Sequence, residues 1–451
     1  MGRLFGTDGI RGIANKELTA ELAMNVGRAV ASVLSNGSRR RPVIVIGSDT
    51  RISSDMLSSA LICGICSVGA DVIQLGVIPT PAVAYLIGKY KADAGIVVSA
   101  SHNTAEYNGI KVFGGDGFKL PDALEEQIEA LVLDGAPLPI SVGKEIGKLT
   151  YAQHKASKDY IAHVKSGVLY SLDGLRIAVD CANGAASATA EKLFSELGAT
   201  VTMIGNKPDG ININEGCGST HIENVARAVR ELGLDCGVAF DGDADRCICV
   251  DENGNVVDGD VIMAVCALDL LERGRLSNKT VVGTIMANLG FSKFCEENGI
   301  RFIATKVGDK YVLEEMLLED HSFGGEQSGH IIFRDFATTG DGQLTAVQLL
   351  SLARRKGKPL SELCSIIKKY PQTTVNVKVS NEGKLAFYTS AEVKEIIDKT
   401  KEELGSSGRV VVRPSGTEPL IRVMIEAESD EVASKYASRI AKVIEEKLAK
   451  A

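Results

Sequence analysis

Val43-Ile44-Val45-Ile46, a helix-like stretch from about Ser54 that stops at Gly69-Ala70, and then Asp71-Val72-Ile73-Gln74-Leu75-Gly76 make the stretch that decides the fold. Short β-branched apolar runs read as buried strands. A glycine just past a helix supplies the left-handed cap that ends it. Two strands joined through a helix run parallel, because only a crossover returns the chain in the same direction. The order recurs in Ile177-Ala178-Val179, a helix near Thr189 to Leu197, and Gly198 to Gly205. It recurs again in Thr280-Val281-Val282, a helix near Phe291 to Glu297, and Gly299 to Ile303. Three such copies predict three tandem, similar α/β domains.

Each copy then gains a further strand that runs into an unusual loop. Gly95-Ile96-Val97-Val98 enters Ser99-Ala100-Ser101-His102-Asn103. Gly237-Val238-Ala239-Phe240 enters Asp241-Gly242-Asp243-Ala244-Asp245-Arg246. Ser322-Phe323 enters Gly324-Gly325-Glu326-Gln327-Ser328-Gly329-His330. Ligands of open α/β sheets bind beyond the carboxyl ends of strands, so three such loops can face one cleft. The last 80 or so residues read differently: strand 374–379, helix 391–403, strand 408–412, strand 420–427 and a charged amphipathic helix from about Asp430 to Lys447. That is an α+β tail. The expected boundaries are 1–152, 153–257, 258–371 and 372–451.

Composition limits the function. The chain has 451 residues, with 58 acidic against 50 basic side chains and a net charge of −8. Hydrophobic residues at 45% and charged residues at 24% are ordinary for a globular protein, which excludes a disordered chain or a fibre. A mildly acidic protein is no general nucleic-acid binder, so an anionic ligand must be held by local basic residues. No run of about 18 apolar residues exists, so no membrane span is expected. Met1 to Asp8 lacks the apolar core of a signal peptide, so the cytoplasm is the expected compartment. Cys63 and Cys66, in an apolar helical run, read as buried thiols.

The acidic loop carries the sharpest chemistry. Asp241, Asp243 and Asp245 alternate, so extended backbone brings their carboxylates to one side, where a hard divalent cation relieves their repulsion. An EF-hand is excluded, because Arg246 stands where its sharp-turn glycine belongs and the flanks are strand-like. Ser99 and Ser101 offer hydroxyls at a strand end, either as a nucleophile or as ordinary loop serines. His102 is the adjacent candidate base. Lys111 follows on a strand that can return past the site, or is a solvated strand lysine. In the tail, Ser415, Gly416 and Thr417 offer N–H groups and hydroxyls, and Arg413 and Arg422 bracket them with forked donors suited to phosphate. Glu326, Gln327 and Ser328 suit sugar hydroxyls or an amino group, or are an ordinary polar turn. His330 is a core imidazole or a proton carrier. Together these parts describe phosphoryl transfer.

On these residues the chain resembles the α-D-phosphohexomutases. The marks, in order, are Gly6-Thr7-Asp8-Gly9-Ile10-Arg11-Gly12, Ser-Ala-Ser-His-Asn at 99–103, Asp-Gly-Asp-Ala-Asp-Arg at 241–246, Gly-Gly-Glu-Gln-Ser-Gly-His at 324–330 and Arg-Pro-Ser-Gly-Thr-Glu-Pro at 413–419. Gln327 looks like the glucosamine branch. Thr104 stands where the family loop usually has proline, which bears on loop rigidity more than on chemistry. The resemblance implies an α/β architecture with mixed sheets, four domains around a central cleft, the last of them α+β.

It also implies a phosphorylated Ser101, with one Mg²⁺ held by Asp241, Asp243, Asp245 and the Ser101 phosphate. Glucosamine 6-phosphate and glucosamine 1-phosphate would interconvert through a 1,6-bisphosphate, with glucosamine or glucose 1,6-bisphosphate as primer, feeding UDP-N-acetylglucosamine and cell-wall precursor synthesis. Glu326 and Ser328 would contact sugar hydroxyls. Arg413, Ser415, Gly416, Thr417 and Arg422 would hold the non-reacting phosphate. Arg11, Lys111 and Arg246 would line the transfer side. Lys111 and His330 are the candidate proton carriers, Lys111 being favoured for its expected place near Ser101. The implied partner is a small sugar phosphate, with no nucleic acid and no membrane; a homodimer is the default association.

Overall fold

The structure is a computed structural model that describes residues 2–6, 8–34, 40–135, 138, 140–415 and 419–449. Its first sheet takes strands β1 (Ile10–Ile13), β2 (Val43–Ser48), β3 (Asp71–Val77), β4 (Ala94–Val98), β5 (Tyr107–Gly114) and β6 (Leu149–Tyr151), in the order β1-β5-β4-β2-β3-β6. The second takes β7 (Arg176–Asp180), β8 (Thr200–Ile204), β9 (Cys236–Phe240), β10 (Cys247–Val250) and β11 (Val256–Val257), in the order β11-β10-β9-β7-β8. The third takes β12 (Thr280–Thr284), β13 (Arg301–Thr305), β14 (Phe323–Gly325) and β15 (Ile331–Phe333), in the order β13-β12-β14-β15.

One four-strand pattern lies inside all three sheets. β3-β2-β4-β5, β8-β7-β9-β10 and β13-β12-β14-β15 share the same order, with three parallel strands and an antiparallel fourth. The fourth strand closes a hairpin on the third. The three hairpin loops, 99–106, 241–246 and 326–330, are the three chemically unusual loops. The expected mixed α/β repeat is present, and the repeat itself puts each loop at the carboxyl end of its third strand.

The chain forms two compact units, Met1–Met286 with Gly299–Ile366, and Ala287–Asn298 with Ile367–Ala451. In the first, helices Ala20–Leu34 and Ile52–Ser67 cross at two glycines. A Cβ on Gly27 would lie 2.5 Å from Leu61 O, and one on Gly64 would lie 2.1 Å from Met24 O. Leu57, Leu61, Gly64 and Ile65 make the buried face of the second helix. Cys63 falls off that face and is exposed, and Cys66 is half-buried, so the expectation of two buried thiols is corrected.

The second unit holds the antiparallel sheet of β16 (Gln372–Lys378), β17 (Arg409–Pro414) and β18 (Leu420–Glu426), in the order β16-β18-β17. Val423, Ile425, Ala433, Ile440 and Ile444 join sheet and terminal helix in one core. This unit also takes the helix Leu289–Glu297, which lies between β12 and β13 in sequence. Its cap explains the grouping. Asn288 Nδ2 donates to Tyr370 O at 3.0 Å, and Tyr370 N donates to Asn288 Oδ1 at 2.9 Å. The buried Glu426 carboxylate accepts from Leu289 N at 2.9 Å. A Cβ on Gly290 would lie 2.0 Å from Lys368 O. The third repeat thus keeps its helix in sequence but shares it with the tail.

Candidate active site

Ser101 sits one residue into its hairpin loop's turn with φ +52°, a left-handed conformation uncommon for any residue but glycine. Its N–H donates to Ser99 Oγ at 3.1 Å. Its hydroxyl, buried, donates to Asp241 Oδ2 at 2.5 Å. Asp241, Asp243 and Asp245 each present a carboxylate oxygen within 4.8 Å of the others, and all three are buried. Two different repeats therefore bring the serine and the acidic trio to one point.

Three carboxylates packed this way cannot all be ionised without help. Burial, then Asp245 and Asp243, push the Asp241 carboxyl well above its usual range. Burial opposes the charge of Asp245 as well, yet Lys111 and His330 hold it below its usual range. Lys111, on β5, is no solvated strand lysine. It is 2% exposed, and its Nζ lies 2.8 Å from Asp243 Oδ2, 3.0 Å from Asp8 Oδ2 and 3.4 Å from Asp245 Oδ2. Burial alone would lower its pKa, but Asp243, Asp8 and Asp245 outweigh that and hold it well above the usual range. Lys111 is placed as a counter-charge to the trio and to Asp8.

The donor set fits a hard divalent cation. Every donor is oxygen, and Asp243 Oδ1 is buried with no hydrogen-bond partner among the described residues. Thr80, at the N-terminus of helix Thr80–Tyr90, fixes the other oxygen, its Oγ1 donating to Asp243 Oδ2 at 2.6 Å. Asp241 Oδ1 accepts from Arg246 N at 3.1 Å.

His102 Nδ1 lies 3.4 Å from Ser101 Oγ and 3.3 Å from Arg246 Nη1. Burial, then Arg246 and Arg11, push its pKa down to about 4, so it is neutral and weakly basic at pH 7. His330 behaves oppositely. Burial pulls it down, but Asp245 at 3.5 Å and Asp309 at 3.6 Å raise it to about 8. His330 Nε2 also accepts from Gly340 N at 3.1 Å, so both of its ring nitrogens are engaged. Arg11 reaches the cluster through Asp8, which also binds Lys119 Nζ at 2.6 Å. Burial opposes the Asp8 charge, yet Lys111, Lys119 and Arg11 together hold it well below the usual carboxylate range.

The third loop is pinned to the second. Cys247 N donates to Gly329 O at 3.0 Å, and Arg246 bridges to His330 through the backbone. Glu326 is half-buried, its Oε1 accepting from Gly308 N at 3.1 Å; Gln327 is half-buried and Ser328 exposed. In the second unit Arg413 and Arg422 stand opposite each other on β17 and β18. Burial, then Arg422, lowers the pKa of Arg413. Ser415 is buried, its N–H donating to Leu420 O at 2.9 Å. Gly416 and Thr417 lie outside the described residues.

The sequence reading missed Asp8, Lys119, Asp309, Thr80, Arg51 and Asn214. Asp8 lies inside the quoted Gly6 to Gly12 motif, so a signal existed. Lys119 and Asp309 join two repeats across about 190 positions and carry no local pattern.

Four stretches match the phosphoglucomutase/phosphomannomutase domains in order: alpha/beta/alpha domain I over residues 2–137, domain II over 158–254, domain III over 258–370 and the C-terminal domain over 375–443. The chain belongs to the phosphoglucomutase/phosphomannomutase family. Among family members, a phosphoglucosamine mutase of Clostridium botulinum (strain Kyoto / Type A2) is 54% identical over 449 residues, covering 99% of this chain and 100% of that protein. The crystal structure of a phosphoglucomutase/phosphomannomutase family protein from Burkholderia thailandensis superposes with a TM-score of 0.80 at 23% identity, covering 99% of each chain. An Aspergillus fumigatus N-acetylphosphoglucosamine mutase, solved with GlcNAc-6P and magnesium, gives a TM-score of 0.69 at 18% identity over 99% of this chain and 96% of its own. The chain is thus a mutase-family enzyme of three mixed α/β domains and a C-terminal domain. Among its described residues no helix is long and apolar enough to cross a membrane.

Proposed function

We propose that this enzyme interconverts glucosamine 6-phosphate and glucosamine 1-phosphate through a phosphoryl group carried on Ser101. The observation that carries the reading is the Ser101 hydroxyl held 2.5 Å from Asp241 inside a trio of buried carboxylates. A serine without that setting would be an ordinary loop residue. The 54% identity to a phosphoglucosamine mutase favours the glucosamine substrate, and Gln327 between Glu326 and Ser328 agrees with it.

The chemistry is two phosphoryl transfers. The phosphorus on Ser101 Oγ is attacked by the sugar O1; the P–Oγ bond breaks, the P–O1 bond forms, and the hydroxyl proton leaves to a base. The resulting 1,6-bisphosphate turns end for end, and Ser101 Oγ takes the phosphoryl group from O6. Mg²⁺ bound by Asp241, Asp243, Asp245 and the Ser101 phosphate would neutralise charge on the transferring oxygens. Lys111, Arg11 and Arg246 supply fixed positive charge beside it. Lys111 and His330 are the candidate groups to take and return the proton. Glu326 and Ser328 orient the sugar hydroxyls, and Arg413, Ser415 and Arg422 take the phosphate that is not reacting, so attack becomes effectively unimolecular.

Measuring kcat/KM for the phosphates of glucosamine, glucose and mannose, with Mg²⁺ and a trace of hexose 1,6-bisphosphate, tests the substrate. Glucosamine phosphate should lead. Equal or higher values for glucose or mannose phosphate would reassign the specificity, and no turnover of any would remove the reading.

A further inference from the structure

We propose that Arg51 and Asn214 form a positioning clamp on the Ser101 loop, setting where the phosphoryl-carrying hydroxyl points without touching the substrate; this deepens the reading of Ser101 as the carrier and rests on it.

Arg51 follows β2, and its side chain is fully buried. A buried guanidinium is costly unless its donors are filled. Arg51 Nη1 is taken by the Asp49 carboxylate and Nη2 by two loop carbonyls, Ser101 O at 3.1 Å and Asn103 O, while Nε has no hydrogen-bond partner among the described residues. Asn214 comes from the second repeat. Its Nδ2 donates to the same two carbonyls, at 2.9 and 2.8 Å. Each carbonyl thus accepts twice, which uses both of its lone pairs. One guanidinium nitrogen, Arg51 Nη2, and one carboxamide nitrogen, Asn214 Nδ2, converge on the two peptides that flank the turn.

The loop needs such a grip. Ser101 is held at φ +52°, and a non-glycine residue stays there only where its surroundings over-determine it. Asn214 itself sits at φ +59°, a conformation asparagine tolerates better than most residues. The acidic loop rests directly on the clamp. A Cβ on Gly242 would lie 2.5 Å from Ser101 O and 2.8 Å from Asn214 Nδ2. The residue whose hydroxyl reaches Asp241 is therefore fixed through its carbonyl against the backbone between Asp241 and Asp243. Displacing a reacting atom by about 1 Å can cost on the order of 10²-fold in rate. Sugar and distal phosphate are bound by other loops, so the clamp should act on kcat and leave KM alone.

Asn214→Gly keeps the left-handed backbone and removes the carboxamide. Its kcat should fall about 10²-fold, with KM for the sugar phosphate within about twofold of wild type. Single-turnover transfer from the Ser101-phosphorylated protein should slow by the same factor. Arg51→Lys should give the same split, because a single ammonium cannot hold the Asp49 carboxylate from one side and both loop carbonyls from the other, as the two guanidinium nitrogens do. Unchanged kcat, or a raised KM at unchanged kcat, would overturn the proposal. If neither variant folds, hydrogen exchange of the wild type decides. Amides of 99–104 must be as protected as those of β4; exchange at an open loop's rate contradicts the clamp. Should the wild type show no mutase turnover, the reading of the active site fails, while the exchange measurement still judges the clamp.

Discussion

Lys111 Nζ lies 2.8 Å from Asp243 Oδ2 and 3.4 Å from Asp245 Oδ2, where it can offset charge on two carboxylates of the acidic trio. In the metal-free protein the ammonium does that work. Removing one partner of a buried ion pair leaves the other charges uncompensated, at a cost of roughly 3–5 kcal/mol. Lys111→Met should therefore lower the melting temperature of the metal-free protein markedly. Mg²⁺ should raise the Tm of the variant more than that of the wild type, because the cation now meets no competing ammonium. Equal gains in thermal melts with and without Mg²⁺ would show that Lys111 does not balance the trio.

Asp243 is fixed by Thr80 and Lys111 on one oxygen and has the other buried without a hydrogen-bond partner among the described residues. Asp243→Asn keeps the shape and removes one charge. Turnover should fall by about 10²–10³-fold, in line with the loss of one preorganised charge at a transition state. Calorimetric titration with Mn²⁺ should show weaker binding. Chelation of the wild type should abolish turnover reversibly. A wild-type rate in excess chelator would contradict the metal reading.

Arg413 and Arg422 face each other on neighbouring strands, two like charges directly opposite. Arg413→Met should leave the Tm of the ligand-free protein unchanged or slightly higher. It should raise KM for the sugar phosphate by about 10- to 100-fold, the loss of one charge-assisted hydrogen bond. Steady-state kinetics and a thermal melt separate the two effects. A large loss of stability with unchanged KM would mean the pair is structural.

His163 stacks on Tyr85 at 3.8 Å, and its Nε2 donates to Phe336 O at 2.9 Å. Burial lowers its pKa in the folded protein. The unfolded chain, near 6.5, then binds the proton more readily. Stability from this group is present above about 6.5 and is lost as pH falls through the lower folded value. Denaturation from pH 7.5 to 5 should show stability falling, and His163→Gln should flatten the slope. An unchanged slope would locate the titration elsewhere.

Much of this was legible because chemistry and period coincide at the loops. The β-branched runs of 43–46 and 280–282 and their glycine stops carry a local signal that β2 and β12 bear out; the aspartates do cluster, but through a turn with Ala244 at φ +58° and Ala244 N donating to Asp241 O at 3.0 Å, not through the extended backbone expected from their alternation. What escaped lacks a local signal. Arg51 and Asn214 meet only because two repeats pack together, and neither lies in a motif with a chemistry of its own. Taken alone, Lys111 read more readily as a solvated strand lysine, but β5 is buried at every position except its two ends. Cys63 was misjudged because an apolar helix of this composition shows little preference for one face, and packing through Gly64 chose the face. The helix after Asn288 was placed by a repeat, but its partner, Glu426, lies far along the chain.

The central claim is that Ser101 carries the phosphoryl group. Phosphosite mapping of the protein after incubation with hexose 1,6-bisphosphate and Mg²⁺ tests it most directly, run beside Ser101→Ala. The account predicts one phosphoryl group per chain, on Ser101, transferred to glucosamine 6-phosphate on mixing, and none in the variant, which should bind sugar phosphate but not turn it over. Phosphate on an aspartate, or full turnover by Ser101→Ala, would contradict it.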